Sequence, residues 1–219
     1  QQTMPEAKIA VELTQAELFL DNNQWEQALA TLKHLQDIVP SHPYVLTLLM
    51  NLYKQIRDWP QLIALIPLLK KNQVISDQEL EQLQLTTYLQ AIGDLAQQNQ
   101  AQAITQLVQS LPKSLKNNPL LIAEHVKFLL LNNDPVQAEI LLRNGLKKQF
   151  SSQLIELYGQ IQNNDQQLVF AESLLKNHAD SAALQLCLGR LCVAKQLWGK
   201  AKNYLIQSNT LQPSPITYN

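Results

Sequence analysis

Apolar positions in this chain recur at helical spacing, and they do so in similar segments. Three tryptophans each open one: WEQALATL from Trp25, WPQLIALI from Trp59 and WGKAKNYL from Trp198. In each, three residues after Trp comes a small or apolar residue (Ala28, Leu62, Ala201), and four later another apolar one (Leu32, Ile66, Leu205). With 3.6 residues per turn, both fall on the face that packs against a neighbouring helix. Trp25 and Trp59 stand 34 residues apart.

That interval is the period of the tetratricopeptide repeat, a helical hairpin. Used as a ruler, the small residue marks six units at Ala28, Leu62, Ala103, Ala138, Ala171 and Ala201, with steps of 34, 41, 35, 33 and 30. The long step places extra residues near Lys70–Glu79, and the short last one trims the loop at His178–Ser181. Pro40 and Pro213, each twelve residues after its alanine, close their units. Gly189 and Ala201 of the last unit let two helix backbones approach, with Cys192 and larger side chains filling the space on either side. Ala16, Phe19, Ala28 and Leu32 take the same places in the first unit, and Tyr158-Gly159 with Ala171 in the fifth. The fold this predicts is all-α: about twelve helices in antiparallel pairs, one repeat domain over 1–219, stacked into a right-handed superhelix (an α-solenoid). A single unit cannot bury its apolar face, so neighbours stack, and the first helix of each pair lines a concave groove.

Composition narrows the function. Five glycines are too few for the turns of a β-protein of 219 residues. A net charge of −1 with no basic run gives nothing to draw the chain to nucleic acid. Gln and Asn cluster at Asn22–Gln24, Gln97–Gln100, Asn132–Asn133 and Gln162–Gln167, which read as solvated helix faces and turns. No stretch of eighteen apolar residues is present. Because the chain opens Gln-Gln-Thr rather than with Met, it is expected to be a fragment whose native N-terminus has been removed. Cys187 and Cys192, five apart on one predicted helix, point to different faces and read as buried apolar residues.

Motifs for catalysis are lacking. There is no P-loop, G-x-G-x-x-G, HExxH or nucleophile elbow. Of His34, His42, His125 and His178, none has metal-ligand spacing to a second His or to Cys. Glu79 and Glu81 lie in a polar stretch and read as solvated. No enzyme activity, no metal and no cofactor are predicted.

The segments Val11–Leu49, Arg57–Leu83, Asn132–Phe150 and LGRLCVAKQLWGKAKNYL from Leu188 resemble the HemY family of bacterial haem-biosynthesis-associated proteins. The resemblance lies in the order of atypical repeats, the long third step included, and covers nearly the whole chain. It implies a parent with two N-terminal transmembrane helices and a basic linker. By the positive-inside tendency such a linker would set the repeats on the cytoplasmic face of the inner membrane. It further implies protein partners, namely the enzymes of late haem synthesis that the family would organise. A flavin-dependent protoporphyrinogen oxidase shares the name, and the missing G-x-G-x-x-G separates this chain from it.

The expected function is therefore a protein-binding scaffold. Two alternatives stand beside it: a haem- or porphyrin-binding carrier, for which His42 and Met50 are conceivable axial ligands, and a self-associating structural array. Phase counting places Glu17, Tyr44, Thr47, Asn51, Lys54, Tyr88, Lys127, Glu156, Gln160 and Arg190 on the groove side of first helices, with Tyr44, Tyr88 and Arg190 as anchors. Repeat proteins that grip a carboxylate use paired Lys and Asn. Asn51 fits that pattern, but Thr47 stands where Lys would be needed, so that mode is not predicted.

Overall fold

The computed structural model describes residues 3–161 and 166–212, which form twelve α-helices and no strand. In order these are α1 (Thr3–Asp21), α2 (Trp25–Ile38), α3 (Pro43–Gln55), α4 (Trp59–Lys71), α5 (Asp77–Gln97), α6 (Ala101–Gln109), α7 (Pro119–Leu131), α8 (Pro135–Lys148), α9 (Ser152–Tyr158), α10 (Gln166–His178), α11 (Ala182–Ala194) and α12 (Trp198–Leu211). Pro213, read from the sequence as the close of the last unit, lies outside the described residues, as does part of the Gln162–Gln167 cluster. The chain divides into two compact units, Gln1–Ala91 and Ile92–Asn219, with the division inside α5.

Local sequence starts the helices. Proline opens α3, α7 and α8, where its missing N–H would be unpaired in any case. The side chains of Asp58, Asn118, Asp134 and Ser181 accept backbone N–H bonds from Gln61 (3.2 Å), Leu120 (3.0 Å), Gln137 (3.1 Å) and Leu184 (3.3 Å). Ser76 and Glu79 form a capping box at the start of α5: Glu79 N donates to Ser76 Oγ (3.3 Å), and Ser76 N donates to the Glu79 carboxylate (2.9 Å).

One backbone device joins the pairs. Three residues connect α1 to α2, α3 to α4, α5 to α6, α7 to α8 and α11 to α12. The middle one of each, Asn23, Arg57, Asn99, Asn133 or Gln196, has φ between 55° and 58°. The N–H that follows reaches back five residues: Gln24 to Phe19, Asp58 to Tyr53, Gln100 to Leu95, Asp134 to Leu129 and Leu197 to Cys192, at 2.8–3.0 Å. These are Schellman closures, in which a left-handed residue lets the chain satisfy the last carbonyls of the first helix. Asparagine, whose short side chain tolerates this region best after glycine, fills three of the five places.

Within the first unit α1 packs on α2, α2 on α3 and α3 on α4. Its core holds Ala16, Ala28, Leu32, Leu35, Leu46, Leu49, Tyr53, Leu62 and Leu69, joined by Leu80 and Leu83 of α5. In the second unit α7 packs on α8 and α9, and α11 meets α9, α10 and α12. Ala138, Leu142, Tyr158, Ala171, Cys187, Leu188 and Ala201 lie in its core. Ala28, Leu62, Ala138, Ala171 and Ala201 are all buried, as the ruler requires.

The ruler slips at one place. Ala103 is only half-buried, and Ile104 takes the inner position, third after the start of α6 as Ala28 is in α2. The long step is therefore 42 and the next 34. The extra residues do not form a loop: α5 has 21 residues where α3 has 13, so eight are added as helix. The short last step also needs correction. Three residues connect α10 to α11 and four connect α2 to α3, so the loop loses one residue. The remaining shortening comes from the end of α10, which runs seven residues past Ala171, where α2 runs ten past Ala28.

Candidate partner-binding face

In the first unit the candidate residues share one face of α3. Tyr44, Thr47, Asn51 and Lys54 follow at intervals of three and four, so their side chains stack along the helix. Core contacts orient this face outward, because Val45, Leu46, Leu49, Leu52 and Tyr53 bury the opposite side. Tyr44 is 45% exposed. Its hydroxyl donates to the carboxylate of Glu17 on α1, which ties the first helices of two successive pairs together. That bond, with slight burial and the charges of Glu17 and Asp21, raises the tyrosine pKa above its ordinary value. Thr47 is half-buried and its hydroxyl returns to the Pro43 carbonyl at 3.0 Å.

Lys54 borders a cleft of about 320 Å³ between α3 and α5, shared with Met50, Ile75, Glu79, Gln82 and Thr86. Glu79 faces it across the opening. Hydrogen bonds from the Ser76 hydroxyl and backbone hold the Glu79 carboxyl below the usual range, so an anion and a cation flank the cleft. Counting from small residues named Lys54 but not its neighbours on α5, since the eight added residues break the count there. Ser76-x-x-Glu79 was the one signal available.

Tyr88 does not belong to this face. It is 4% exposed, and burial raises its pKa. Leu80, Leu83, Thr87, Tyr88 and Ala91 make the buried stripe of α5. Eight additional residues turn a helix by two revolutions plus about 80°. A phase carried across them, from a reference itself one residue out, rotates the tyrosine from core to groove. Met50, a conceivable axial ligand, is 7% exposed and sits among core leucines. His42 caps α3 by accepting from Val45 N at 3.4 Å.

In the second unit Lys127 is exposed on α7 and pairs with Glu124 at 2.6 Å. Glu156 is exposed on α9, Gln160 lies in the turn after it, and Arg190 is half-exposed on α11. One buried feature there escaped the sequence, and one expectation holds. Glu139, 3% exposed, accepts from Tyr158 Oη (2.7 Å) and Arg143 Nε (2.8 Å). With those donors the carboxylate is a satisfied core group. Cys187 and Cys192 are free and buried, and burial pushes the Cys187 thiol up to about 12. Neither thiol is a nucleophile at neutral pH.

Among the described residues no three His, Cys, Asp or Glu side chains gather as a metal site, and no helix is long and apolar enough to cross a membrane.

No family model matches the chain. The protein HemY of Escherichia coli K12 is 23% identical over 195 residues, which are 88% of this chain and 49% of HemY. The protein HemY of Shigella flexneri matches with the same figures. The chain is similar to HemY. It spans about half the length of these curated relatives. Among solved structures, Pseudomonas aeruginosa pilF aligns over 97% of this chain and 96% of its own, at 14% identity and a TM-score of 0.40. The Cut9–Hcn1 structure aligns over 95% of this chain and 41% of its own, at 15% identity and 0.42. YrrB, a tetratricopeptide protein with an unusual peptide-binding site, covers 94% and 87% at 13% identity and 0.36. The likeness to HemY rests on sequence, and the helical hairpins stand on this chain's own geometry.

Proposed function

We propose that this chain is a protein-binding scaffold and that its partner lies along the first-helix face of the first unit. The observation that carries this reading is the stripe Tyr44, Thr47, Asn51 and Lys54 on α3, outward-facing and flanked by the α3–α5 cleft. An exposed tyrosine with a held hydroxyl offers a large contact area at little cost in side-chain freedom. Tyr and Arg also supply a disproportionate share of interface energy. Lys127, Glu156, Gln160 and Arg190 are the corresponding candidates of the second unit. We read residues 1–219 as one repeat domain.

Similarity to HemY supports a narrower form of the proposal. The partners would be enzymes of late haem synthesis, and the parent protein would sit at a bacterial inner membrane with its repeats on the cytoplasmic face. Tagged chain incubated with extract of the source cells, with captured proteins identified by mass spectrometry, tests the partner class. Titration of a captured protein against the Asn51→Ala/Lys54→Glu variant tests the face, with affinity expected to fall at least roughly tenfold. Unchanged affinity in a folded variant moves the interface elsewhere.

A further inference from the structure

We propose that one edge of the second unit docks on anionic lipid headgroups, at the place where the second helices α6, α8 and α10 end. Residues 111–118 follow α6, residues 147–151 close α8 and residues 176–181 close α10. Together they hold Lys113, Lys116, Lys147, Lys148 and Lys176 against one acid, Asp180. Two contacts join the three segments into one surface. Lys148 Nζ donates to Asn117 Oδ1 at 2.7 Å, which sets the end of α8 against the α6–α7 turn. Phe150 and His178 stack with ring centroids 3.9 Å apart, which sets the α8–α9 turn against the end of α10. A basic surface thus arises from a chain with no basic run.

The charge there is uncompensated. All five lysines are exposed, and none pairs with a carboxylate among the described residues. Lys148 meets a neutral amide, and Lys147 leans over the Phe170 ring at 6.0 Å. A helix C-terminus carries only about half a negative charge, so the helix ends leave most of this unneutralised. The end of α4 is the contrast: it also carries Lys70 and Lys71, but Lys70 shares a cleft with Asp77 and Glu79. Chemistry then selects the occupant. These segments contain no Tyr, Trp or Arg, the residues that anchor protein interfaces, and lysine is depleted from such interfaces. A lysine ammonium is a hydrated point charge on a flexible stem, suited to charge spread over a plane and needing no fitted pocket. Leu120, 43% exposed at the start of α7, stands beside this turn, held by the Asn118 cap, and adds an aliphatic side chain that enters a headgroup layer. None of these residues belongs to the candidate partner face.

Co-sedimentation of the whole chain with vesicles tests this, using phosphatidylglycerol mixed with phosphatidylcholine and, separately, phosphatidylcholine alone. The unaltered chain binds the mixed vesicles at low salt, is released by high salt and does not bind the neutral ones. Lys113→Glu/Lys116→Glu lowers the apparent affinity at least roughly tenfold. Lys70→Glu/Lys71→Glu makes an equal change in net charge and lowers it far less, with circular dichroism unchanged in both variants. Lys113→Gln/Lys176→Gln replaces the first variant should charge reversal disturb the fold. Absence of binding to the mixed vesicles at low salt overturns the proposal, as does equal binding to both kinds of vesicle. Equal losses in the two Glu variants overturn it too, since net charge and not this edge would then govern binding. A chain that retains a polyglutamate peptide but no vesicle also overturns it, and assigns the edge to an acidic protein segment.

Discussion

Gly159 and Cys187 hold α9 and α11 in backbone contact: a methyl group on Gly159 would stand 2.9 Å from the Cys187 Cα. Neither backbone can retreat without moving a packed helix. Gly159→Ala is therefore expected to destabilise the protein by about 1–3 kcal/mol, as overpacking does. Gly93, within α5, has nothing within 4 Å of a built Cβ. Gly93→Ala is expected to stabilise by roughly 0.5–1 kcal/mol through helix propensity. Urea melts of the two variants should move in opposite directions.

The turns between paired helices yield a second expectation. Gln196 holds φ 58° with a side chain poorly suited to that region, while Asn133 at 57° suits it. Gln196→Asn should raise stability by about half a kcal/mol, and Asn133→Ala should lower it by about 1 kcal/mol. Thermal unfolding followed at 222 nm reads both, and equal midpoints would remove the left-handed turn as the reason asparagine recurs.

Tyr44 and Tyr88, which the repeat phase sets on one groove, should separate cleanly. Tyr88→Ala removes a buried ring, and a loss of about 3–5 kcal/mol is expected by analogy with other aromatic truncations. Tyr44→Ala removes an exposed ring and one surface hydrogen bond, so about 1 kcal/mol or less is expected. Denaturant midpoints decide it. Tyr44 belongs to the binding experiment and Tyr88 to the stability one.

His125 introduces a pH dependence. It lies on α7 and its Nδ1 is buried with no hydrogen-bond partner among the described residues. Burial lowers its pKa from 6.5. A lowered folded value means the fold favours the neutral ring, so this contribution is complete above about 6.5 and is lost as pH falls toward the folded value. The melting temperature should drop between pH 7 and pH 5, and the drop should be smaller in His125→Leu. An equal drop in both proteins would assign the acid sensitivity to other groups.

Much of this architecture is legible because each hairpin repeats its instructions. Trp25, Trp59 and Trp198 mark three second-helix starts, and five of the six small-residue positions are in the core. The failures share a cause. Periodicity carries phase only as far as the spacing is known, and eight helical residues inserted in α5 leave no local mark. The small-residue count therefore lands on Ala103 rather than its neighbour Ile104, and it turns Tyr88 outward. Asn23, Asn99 and Asn133 read as turn residues, but their left-handed backbone is hidden in the sequence, because Arg57 and Gln196 hold the same place in two of the five turns. The acid–base pairing of Glu139 with Tyr158 and Arg143 joins residues up to 19 positions apart, beyond the reach of a helical period.

The three-residue closures also set how quickly the chain finds its fold. Each brings two helices together across a short span, so the chain entropy lost on closing a hairpin is small and is recovered at once by contacts between neighbours. Proteins whose contacts are this local fold in microseconds to milliseconds, without the long searches that distant strand pairing imposes. Stopped-flow refolding of the whole chain should accordingly show its main phase completed within milliseconds, and α11–α12, joined by the Gln196 turn, can close without waiting for the residues before it.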